Sequence, residues 1–310
     1  MQIRREVIAV KVETTYGTDA VPTAAANAVL VENPSWSFDS ARLNDRNGVR
    51  TTFATLLKVF GGALKAVSFD AEMKGSGTAG TAPEIDALLR ACGFAVTNVP
   101  ATSDTYKPTS SSLESVSIYY WQDGTLHKML GCVGTVSFKM EAGKIAYANF
   151  QMVGHEPATS MLDQALPTPT YDATVPPPVI GGGFTIGGTA LVTDKLEFAV
   201  NNQIAKNGDI SSYDGFAKLQ ITGRDLSGSF APEAVLKATK DFDTPFKAGT
   251  TAVLASGVIG STAGNRFAVN MPVIQYREFG PGDRGGIRVY EMGFGAHESA
   301  GDDEVSIAFT

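Results

Sequence analysis

The chain contains one glycine-rich segment with the spacing of a phosphate-binding turn. Gly75-Ser76-Gly77-Thr78-Ala79-Gly80 spells G-x-G-x-x-G and lies between a strand pattern and a helix pattern. In dinucleotide-binding folds, such a turn follows a strand that is buried on both faces and almost continuously apolar. Residues 67–73 alternate apolar and polar side chains instead, and residues 97–101 contain no acid that could bind a ribose. We therefore interpret residues 75–80 as a flexible turn and predict no nucleotide cofactor.

The other residue types that carry catalysis or bind metals are few and scattered. His155-Glu156 and His297-Glu298 end strand patterns and lack the H-E-x-x-H spacing of a helical zinc site. Cys92 and Cys132 lack C-x-x-C spacing and are typical of buried free thiols in a reducing compartment. The sequence has neither a G-x-S-x-G nucleophile elbow nor a Walker A motif. It therefore predicts no catalytic residue, no metal, no cofactor and no enzymatic activity.

One loop concentrates charged and apolar residues that are suited to docking against another molecule. Its charges are of both signs, which favours a fixed register over raw affinity. The apolar stretch that follows would be a liability if it faced only water. The candidate contact residues are Arg42, Asp45, Arg46, Arg50, Phe53, Leu56 and Leu57. A solvated surface loop is the alternative interpretation of the charged part.

Length and composition limit the classes of protein to which the chain can belong. It has 310 residues, a formal net charge of −7 and 43% hydrophobic residues. The length suits two domains of ~150 residues. The acidic balance counts against tight nucleic-acid binding, which depends on Lys and Arg. No apolar run approaches the ~20 residues of a membrane span, and we expect neither a signal peptide nor a membrane partner.

Most of the chain shows the period-two alternation of antiparallel strands with one buried face and one wet face. Helix signals are confined to two segments, each opened by Ala-Pro-Glu, of which the first ends at Gly93. The strand patterns lie at residues 67–73, 136–141, 147–152, 196–201 and 218–222, and the helix patterns at residues 83–93 and 232–240. The sequence therefore predicts a mainly β protein with few helices.

Several of these features recur in the same order in the two halves of the chain. Each half has an aromatic strand start, a loop with Asn-Gly, a strand, the Ala-Pro-Glu segment and a final hairpin that closes on His-Glu. Between them lies a Pro- and Gly-rich stretch, which favours an extended spacer. We predict two duplicated β-sandwich domains, residues 1–156 and 184–310, each with one flanking α-helix, joined by a linker over residues 157–183. An irregular crossover inside one domain is the alternative for that stretch.

Several segments of the chain resemble the tail tube (major tail) proteins of long-tailed, non-contractile bacteriophages. The resemblance implies sandwich domains that form stacked rings around a DNA channel. For a duplicated chain it implies trimeric rings with pseudo-sixfold symmetry. It also implies a structural virion protein of the phage tail, assembled in the host cytoplasm. The segments that carry it are residues 12–19 (VETTYGTD), 75–83, 118–127 (IYYWQDGTLH), 260–266 (GSTAGNR) and 290–299.

The resemblance further assigns roles to regions of the chain. It implies that residues 41–62 and 201–215 stack onto the next ring and that an N-terminal arm, residues 1–30, lies across a neighbour. Its further partners would be tail terminator, tape-measure and distal tail proteins. Since DNA must pass without specific binding, we expect an acidic or neutral lumen. The candidate lumen-facing acids are Asp70, Glu72, Glu141, Glu197 and Glu291, with an outer solvated face as the alternative for each.

The competing hypothesis is a β-sandwich binding module, such as a capsid-decoration or carbohydrate-binding protein. Such a module needs a cluster of exposed aromatic side chains. The sequence offers only Tyr119, Tyr120 and Trp121, and consecutive strand residues point to opposite faces. We therefore favour the structural, self-assembling protein.

Overall fold

The computed structural model describes residue 2 and residues 4–310. Met1 and Ile3, which belong to the predicted N-terminal arm, lie outside the described residues. The described residues are 48% strand and 5% helix, with three short helices. This confirms the prediction of a mainly β protein with few helices. The helices are α1 (Ala24–Asn27), α2 (Asp86–Ala91) and α3 (Asp243–Ala248).

The strands divide between the two halves of the chain. Those of the first half are β1 (Glu6–Val12), β2 (Ala28–Val29), β3 (Val31–Asp39), β4 (Leu43–Asn44), β5 (Val59–Phe60), β6 (Leu64–Glu72), β7 (Phe94–Val99), β8 (Ser103–Pro108), β9 (Val116–Gln122), β10 (Thr125–Glu141), β11 (Tyr147–His155) and β12 (Met161–Asp163). Those of the second half are β13 (Thr185–Ile186), β14 (Thr189–Ala190), β15 (Thr193–Ala199), β16 (Gln203–Ala205), β17 (Gln220–Gly223), β18 (Ser227–Pro232), β19 (Thr251–Ile259), β20 (Phe267–Arg284), β21 (Ile287–Ala296) and β22 (Ser306–Phe309).

Eight of these strands form one continuous antiparallel sheet, four from each half. Its order is β3-β6-β11-β10-β15-β18-β21-β20. The halves join where β10 pairs with β15, from Ser137 opposite Ala199 to Glu141 opposite Lys195. We call this eight-stranded unit the main sheet.

The long strands β10 and β20 connect the main sheet to the second layer. The first part of β10 pairs with β9, β9 pairs with β1, and β1 pairs with β2. The first part of β20 pairs with β19 and with β22, and β22 pairs in turn with β8 of the first half. Each long strand has a β-bulge near the point where it changes partners. The two layers face each other across a shared core, as a β-sandwich requires.

The core face of the main sheet carries a row of buried phenylalanines. Phe69 packs against Phe150 in the first half, and Phe230 packs against Phe294 in the second half. Phe138 stacks on Phe198 across the junction, with 4.7 Å between ring centroids. Burying aromatic area of this size stabilises a fold strongly. The two halves therefore share one continuous core.

The order of strand pairing is the same in the two halves. In the first half, β1 pairs with β9, β9 with β10, β10 with β11, β11 with β6, and β6 with β3. The second half has the same order of pairing, with neighbouring strands β13-β19-β20-β21-β18-β15. Helix α2 precedes β9, as α3 precedes β19. The order of strand pairing therefore repeats, although the predicted strand at residues 218–222 and the Ala-Pro-Glu segment at residues 231–233 do not occupy places equivalent to those of the first half.

The first predicted helix is confirmed and the second is wrong. Helix α2 lies within residues 83–93, and Gly93 follows it with a φ of +81°. In contrast, the predicted helix at residues 232–240 is absent, because β18 continues to Pro232 and α3 begins only at Asp243. Phe230 is buried in the sheet, whereas the side chain of Leu236 is exposed, so residues 232–240 have no apolar stripe to bury.

The strand predicted at residues 218–222 is present, but it does not belong to the main sheet. Residues 220–223 form β17, which pairs with β16 in a separate ribbon, and the main-sheet strand of this region is formed by residues 227–232. Gly228 is required there because a Cβ atom would lie 2.5 Å from Phe294 Cζ. A small residue in a strand can mark such close packing instead of a turn.

Candidate assembly surfaces

All five predicted lumen-facing acids lie on one face of the main sheet, opposite the core. The register places Glu72 opposite Tyr147, Tyr147 opposite Lys139, and Lys139 opposite Glu197. Residues that lie directly opposite one another in a sheet point to the same side. The same reasoning through the paired strands places the remaining acids, Asp70, Glu141 and Glu291, on this side. We call this side the polar face.

Ionic contacts and hydrogen bonds hold the acids of the polar face in place. Lys139 Nζ lies 2.7 Å from Glu141 Oε1 and 3.6 Å from Glu197 Oε1, and Lys144 also pairs with Glu141. Hydrogen bonds from the two lysines lower the pKa of Glu141 to about 2. Asp70 accepts hydrogen bonds from Asn149 at 2.7 Å and Asn33 at 3.2 Å. Glu141 is therefore a carboxylate at neutral pH.

The polar face is concave where the two halves meet, and its lining combines acidic, amide and small side chains with Lys139 and Tyr147. The concavity extends from Asp70 on β6 across β10 and β15 to Ser229 on β18. Beyond the predicted acids, the face also carries Glu32 and Glu278, against the cations Lys139, Lys144, Lys195 and Arg277. The acidic side chains outnumber the basic ones, so the field at this surface repels polyanions.

The main sheet has two open edges. Among the described residues, β3 pairs only with β6, and residues 276–284 of β20 pair only with β21. The outer sides of these strands present backbone N–H and C=O groups that can pair with another chain. Because one edge comes from each half, copies of the chain can pair edge to edge in a head-to-tail manner.

The predicted docking loop projects from one end of the main sheet. It begins and ends in the β4–β5 pair, and Asp45 forms an ion pair with Lys58 at 3.0 Å. At the tip, Val49 and Phe53 are completely exposed, at 106% and 109% of a reference residue. The remaining predicted contacts, Arg46, Arg50 and Leu57, are also exposed, whereas Leu56 is half-buried. We call residues 45–58 the apolar loop.

Arg42 has a different role from the other predicted contact residues. Its Nη1 donates a hydrogen bond to Gly215 O at 2.9 Å, and its guanidinium lies 3.9 Å from the centroid of the Phe216 ring. A cation over an aromatic ring is stabilising. Arg42 therefore anchors the base of the apolar loop to residues 201–215, and the two predicted stacking loops lie at the same end of the main sheet.

A Tyr-His-Asp chain joins the N-terminal segment to this end of the molecule. Asp214 Oδ2 lies 2.6 Å from His155 Nδ1, and His155 Nε2 lies 3.0 Å from Tyr16 OH. The Tyr16 oxygen also accepts a hydrogen bond from Leu219 N at 2.7 Å. Burial raises the pKa of Tyr16. The hydroxyl is thus engaged by two protein groups, and the chain ties three segments together.

Sequence reasoning missed a second structural centre, the carboxylate of Glu13. It is buried and accepts four hydrogen bonds, from the Ser115 and Ser117 hydroxyls and from the Gly17 and Gly131 amides, at 2.7 to 2.8 Å. The signal was present in the VETTYGTD segment, which contains Glu13, Tyr16 and Gly17. Its polar residues hold the N-terminal segment on the sandwich.

The glycine-rich turn is explained by packing. Gly77 N donates a hydrogen bond to Gly264 O at 3.0 Å, and a Cβ atom on Gly75 would lie 2.1 Å from that same oxygen. The turn therefore packs backbone to backbone against residues 260–266. Both cysteines are buried free thiols, and burial raises their pKa values. Within residues 2 and 4–310, no group of three or more His, Cys, Asp or Glu side chains could hold a metal ion, and no described helix is long and apolar enough to span a membrane.

The comparisons with known proteins identify one family. A family model described as phage tail tube protein matches residues 4–310, almost the whole chain. A search of curated proteins gives no match.

Proposed function

The chain belongs to the phage tail tube protein family, and on that premise we propose that it self-assembles into stacked rings that form the tube of a long-tailed, non-contractile phage. The family is structural, and the chain is a component of the virion tail. The match over residues 4–310 is the observation that carries the proposal. The polar face and the open edges of the main sheet are the features that suit the role.

The proposed ring contains three copies with pseudo-sixfold symmetry. The matched pairing order supports two duplicated tube domains, residues 1–156 and 184–310, with residues 157–183 between them. That intervening segment is held along its length, since Thr170 N bonds to Ala24 O and Val179 N bonds to Lys144 O. Each copy contributes eight strands, and pairing β3 of one copy with β20 of the next would remove both open edges.

In this arrangement the polar face lines the channel. Its acids repel the phosphates of DNA, so the genome passes during ejection without specific binding. The tube would meet tail terminator, tape-measure and distal tail proteins, and would assemble in the host cytoplasm. An N-terminal arm, residues 1–30, would lie across a neighbour.

The alternative of a capsid-decoration or glycan-binding module loses its candidate binding residues. Tyr119, Tyr120 and Trp121 are all buried, at 1% to 4% exposure. Side chains at this depth cannot stack on a ligand in solution. No observation on the described residues favours that module over a tube subunit.

Negative-stain electron microscopy of the purified full chain tests the proposal. We expect rings with threefold or pseudo-sixfold end views and stacked tubes with a stain-filled channel. Sedimentation velocity on the same sample should show species larger than a 32.6 kDa monomer. A protein that stays monomeric at high concentration and under tail-assembly conditions would refute the proposal.

A further inference from the structure

We propose that Asn47, in the apolar loop, is a site of spontaneous deamidation, a modification that converts its side-chain amide to a carboxylate. The chain contains two Asn-Gly pairs, Asn47-Gly48 and Asn207-Gly208, one in each half. Their tertiary surroundings differ, and the reaction belongs to the first pair. The proposal does not depend on the assembly of rings, because it concerns the unassembled chain.

The reaction needs only the chain itself and water. The backbone nitrogen of Gly48 gives its proton to the solvent and attacks the side-chain carbonyl carbon of Asn47, and the carbon–nitrogen bond of the side-chain amide breaks. The leaving nitrogen takes up a proton and departs as ammonia, which leaves a cyclic succinimide. Water then opens the ring at either carbonyl group, which gives aspartate or isoaspartate. Glycine favours ring closure because it has no Cβ atom to crowd the attacking nitrogen.

The surroundings of Asn47 favour this reaction. Asn47 and Gly48 are both exposed, and they lie between β4 and β5 in a stretch without helix or strand structure. Ring closure rotates the backbone of Asn47, and among the described residues no backbone hydrogen bond of this pair has to break. Arg46 and Arg50 are exposed cations on either side in the sequence. Nearby positive charge favours the amide anion that makes the attack.

The backbone of Asn207 is held in place, although the same residue type follows it. Asn207 and Gly208 are exposed, like the first pair, so burial does not distinguish the two pairs. The difference lies in the backbone, where Asn207 O accepts a hydrogen bond from Ala217 N at 2.9 Å and Gly208 forms a β-bridge with Phe216. Turning the Gly208 nitrogen toward the Asn207 side chain would break this pairing. Each hydrogen bond that is lost adds to the barrier, so the fold protects Asn207.

Deamidation changes the charge and the backbone of the apolar loop. Residues 42–58 contain the cations Arg42, Arg46, Arg50 and Lys58 against the single acid Asp45. A carboxylate at position 47 adds a second acid, between Arg46 and Arg50. Isoaspartate also inserts a methylene group into the main chain at this point. A modification that changes charge acts through the same electrostatic rules as any charged side chain, so the aged loop presents a less cationic surface.

Timed incubation of the unassembled full chain tests the site. Samples are held at mildly alkaline pH and digested at intervals, and mass spectrometry of the peptides measures the replacement of NH₂ by OH at each asparagine. We expect Asn47 to react at least about tenfold faster than Asn207, because Asn207 must first break its backbone pairing. Asn47→Gln is the control variant. It should lose the reaction at this position, since glutamine would have to close a larger ring.

The same measurement in denaturant separates the effect of the fold from that of the local sequence. Unfolding frees both pairs, so the rates at Asn47 and Asn207 should become similar. In the folded chain, a smaller ratio than expected, a faster reaction at Asn207 or no reaction at Asn47 overturns the inference. A difference between the two sites that persists unchanged in denaturant also overturns it, because the fold would then protect neither pair.

Discussion

Replacing Glu13 with Gln tests the view that this carboxylate holds the N-terminal segment on the sandwich. Each of its oxygens accepts one backbone amide, Gly131 on Oε1 and Gly17 on Oε2, as well as one serine hydroxyl. Glutamine replaces one oxygen with NH₂. Whichever way the amide is turned, that NH₂ faces a backbone N–H donor at 2.7 or 2.8 Å. No rotation of the side chain restores all four bonds.

The magnitude follows from the groups that lose a partner. The hydroxyl of Ser115 or Ser117 can rotate to accept, but the backbone N–H cannot. A donor left unsatisfied in the interior costs about 1–3 kcal/mol, and the remaining bonds lose the strength of an ionised acceptor. We therefore expect Glu13→Gln to lower the free energy of unfolding by about 2–4 kcal/mol.

Denaturant unfolding of the unassembled subunit, followed by tryptophan fluorescence, measures this effect. Glu298→Gln is the matched control, because Glu298 is exposed and the same substitution there should change stability by no more than about 0.5 kcal/mol. Equal unfolding midpoints for the two variants, with unchanged slopes, would refute the reasoning and show that the four bonds contribute nothing net.

Three further predictions follow from other contacts. Tyr16→Phe removes the hydroxyl that bonds Leu219 N and His155, so it should lower the free energy of unfolding by about 1–3 kcal/mol in the same assay. A loss no larger than that of Glu298→Gln would contradict this role of the hydroxyl. Burial and the nearby Lys65 lower the pKa of His127 to about 4. As the pH falls, the unfolded state therefore binds the proton before the folded state does. About 3 kcal/mol of the free energy of unfolding should be lost between pH about 6.5 and pH about 4. His127→Gln should remove this share of the pH dependence, and superimposable wild-type and variant profiles would refute it. In phage carrying Glu141→Lys together with Glu197→Lys, the proposed channel would become more cationic, and DNA release, timed by dye uptake, should slow. Glu298→Lys is the control. Unchanged release in the double variant would count against an acidic lumen.

Local patterns predicted much of the main sheet. Alternation at residues 67–73, 136–141 and 147–152 placed the apolar residues on the core face and Asp70, Glu72 and Glu141 on the other. This works because successive strand residues point to opposite faces whatever the strand pairs with. The alternation could not reveal that the acids of β6, β10, β15 and β21 share one surface, since that depends on the register between strands.

The errors lie where a local signal competed with a distant contact. Ala-Pro-Glu is a good helix start, but Phe230 is held in the sheet opposite Met292 and Leu196, so residues 227–232 remain a strand. Glu13 and Asp214 were overlooked for a related reason. Their partners are up to 118 residues away in the sequence, and no spacing rule connects them.

The sequence by itself determined the mainly β class, the alternating faces, the first helix and the family resemblance, because each depends on side-chain order along a short segment or on extended similarity. Only the tertiary structure decided that β10 pairs with β15, that β22 pairs with β8, and that residues 41–62 and 201–215 lie at the same end of the main sheet. Such pairings bring together residues that are far apart in the chain. Their choice is made by the shared core and by backbone hydrogen bonds across strands, which no local pattern encodes.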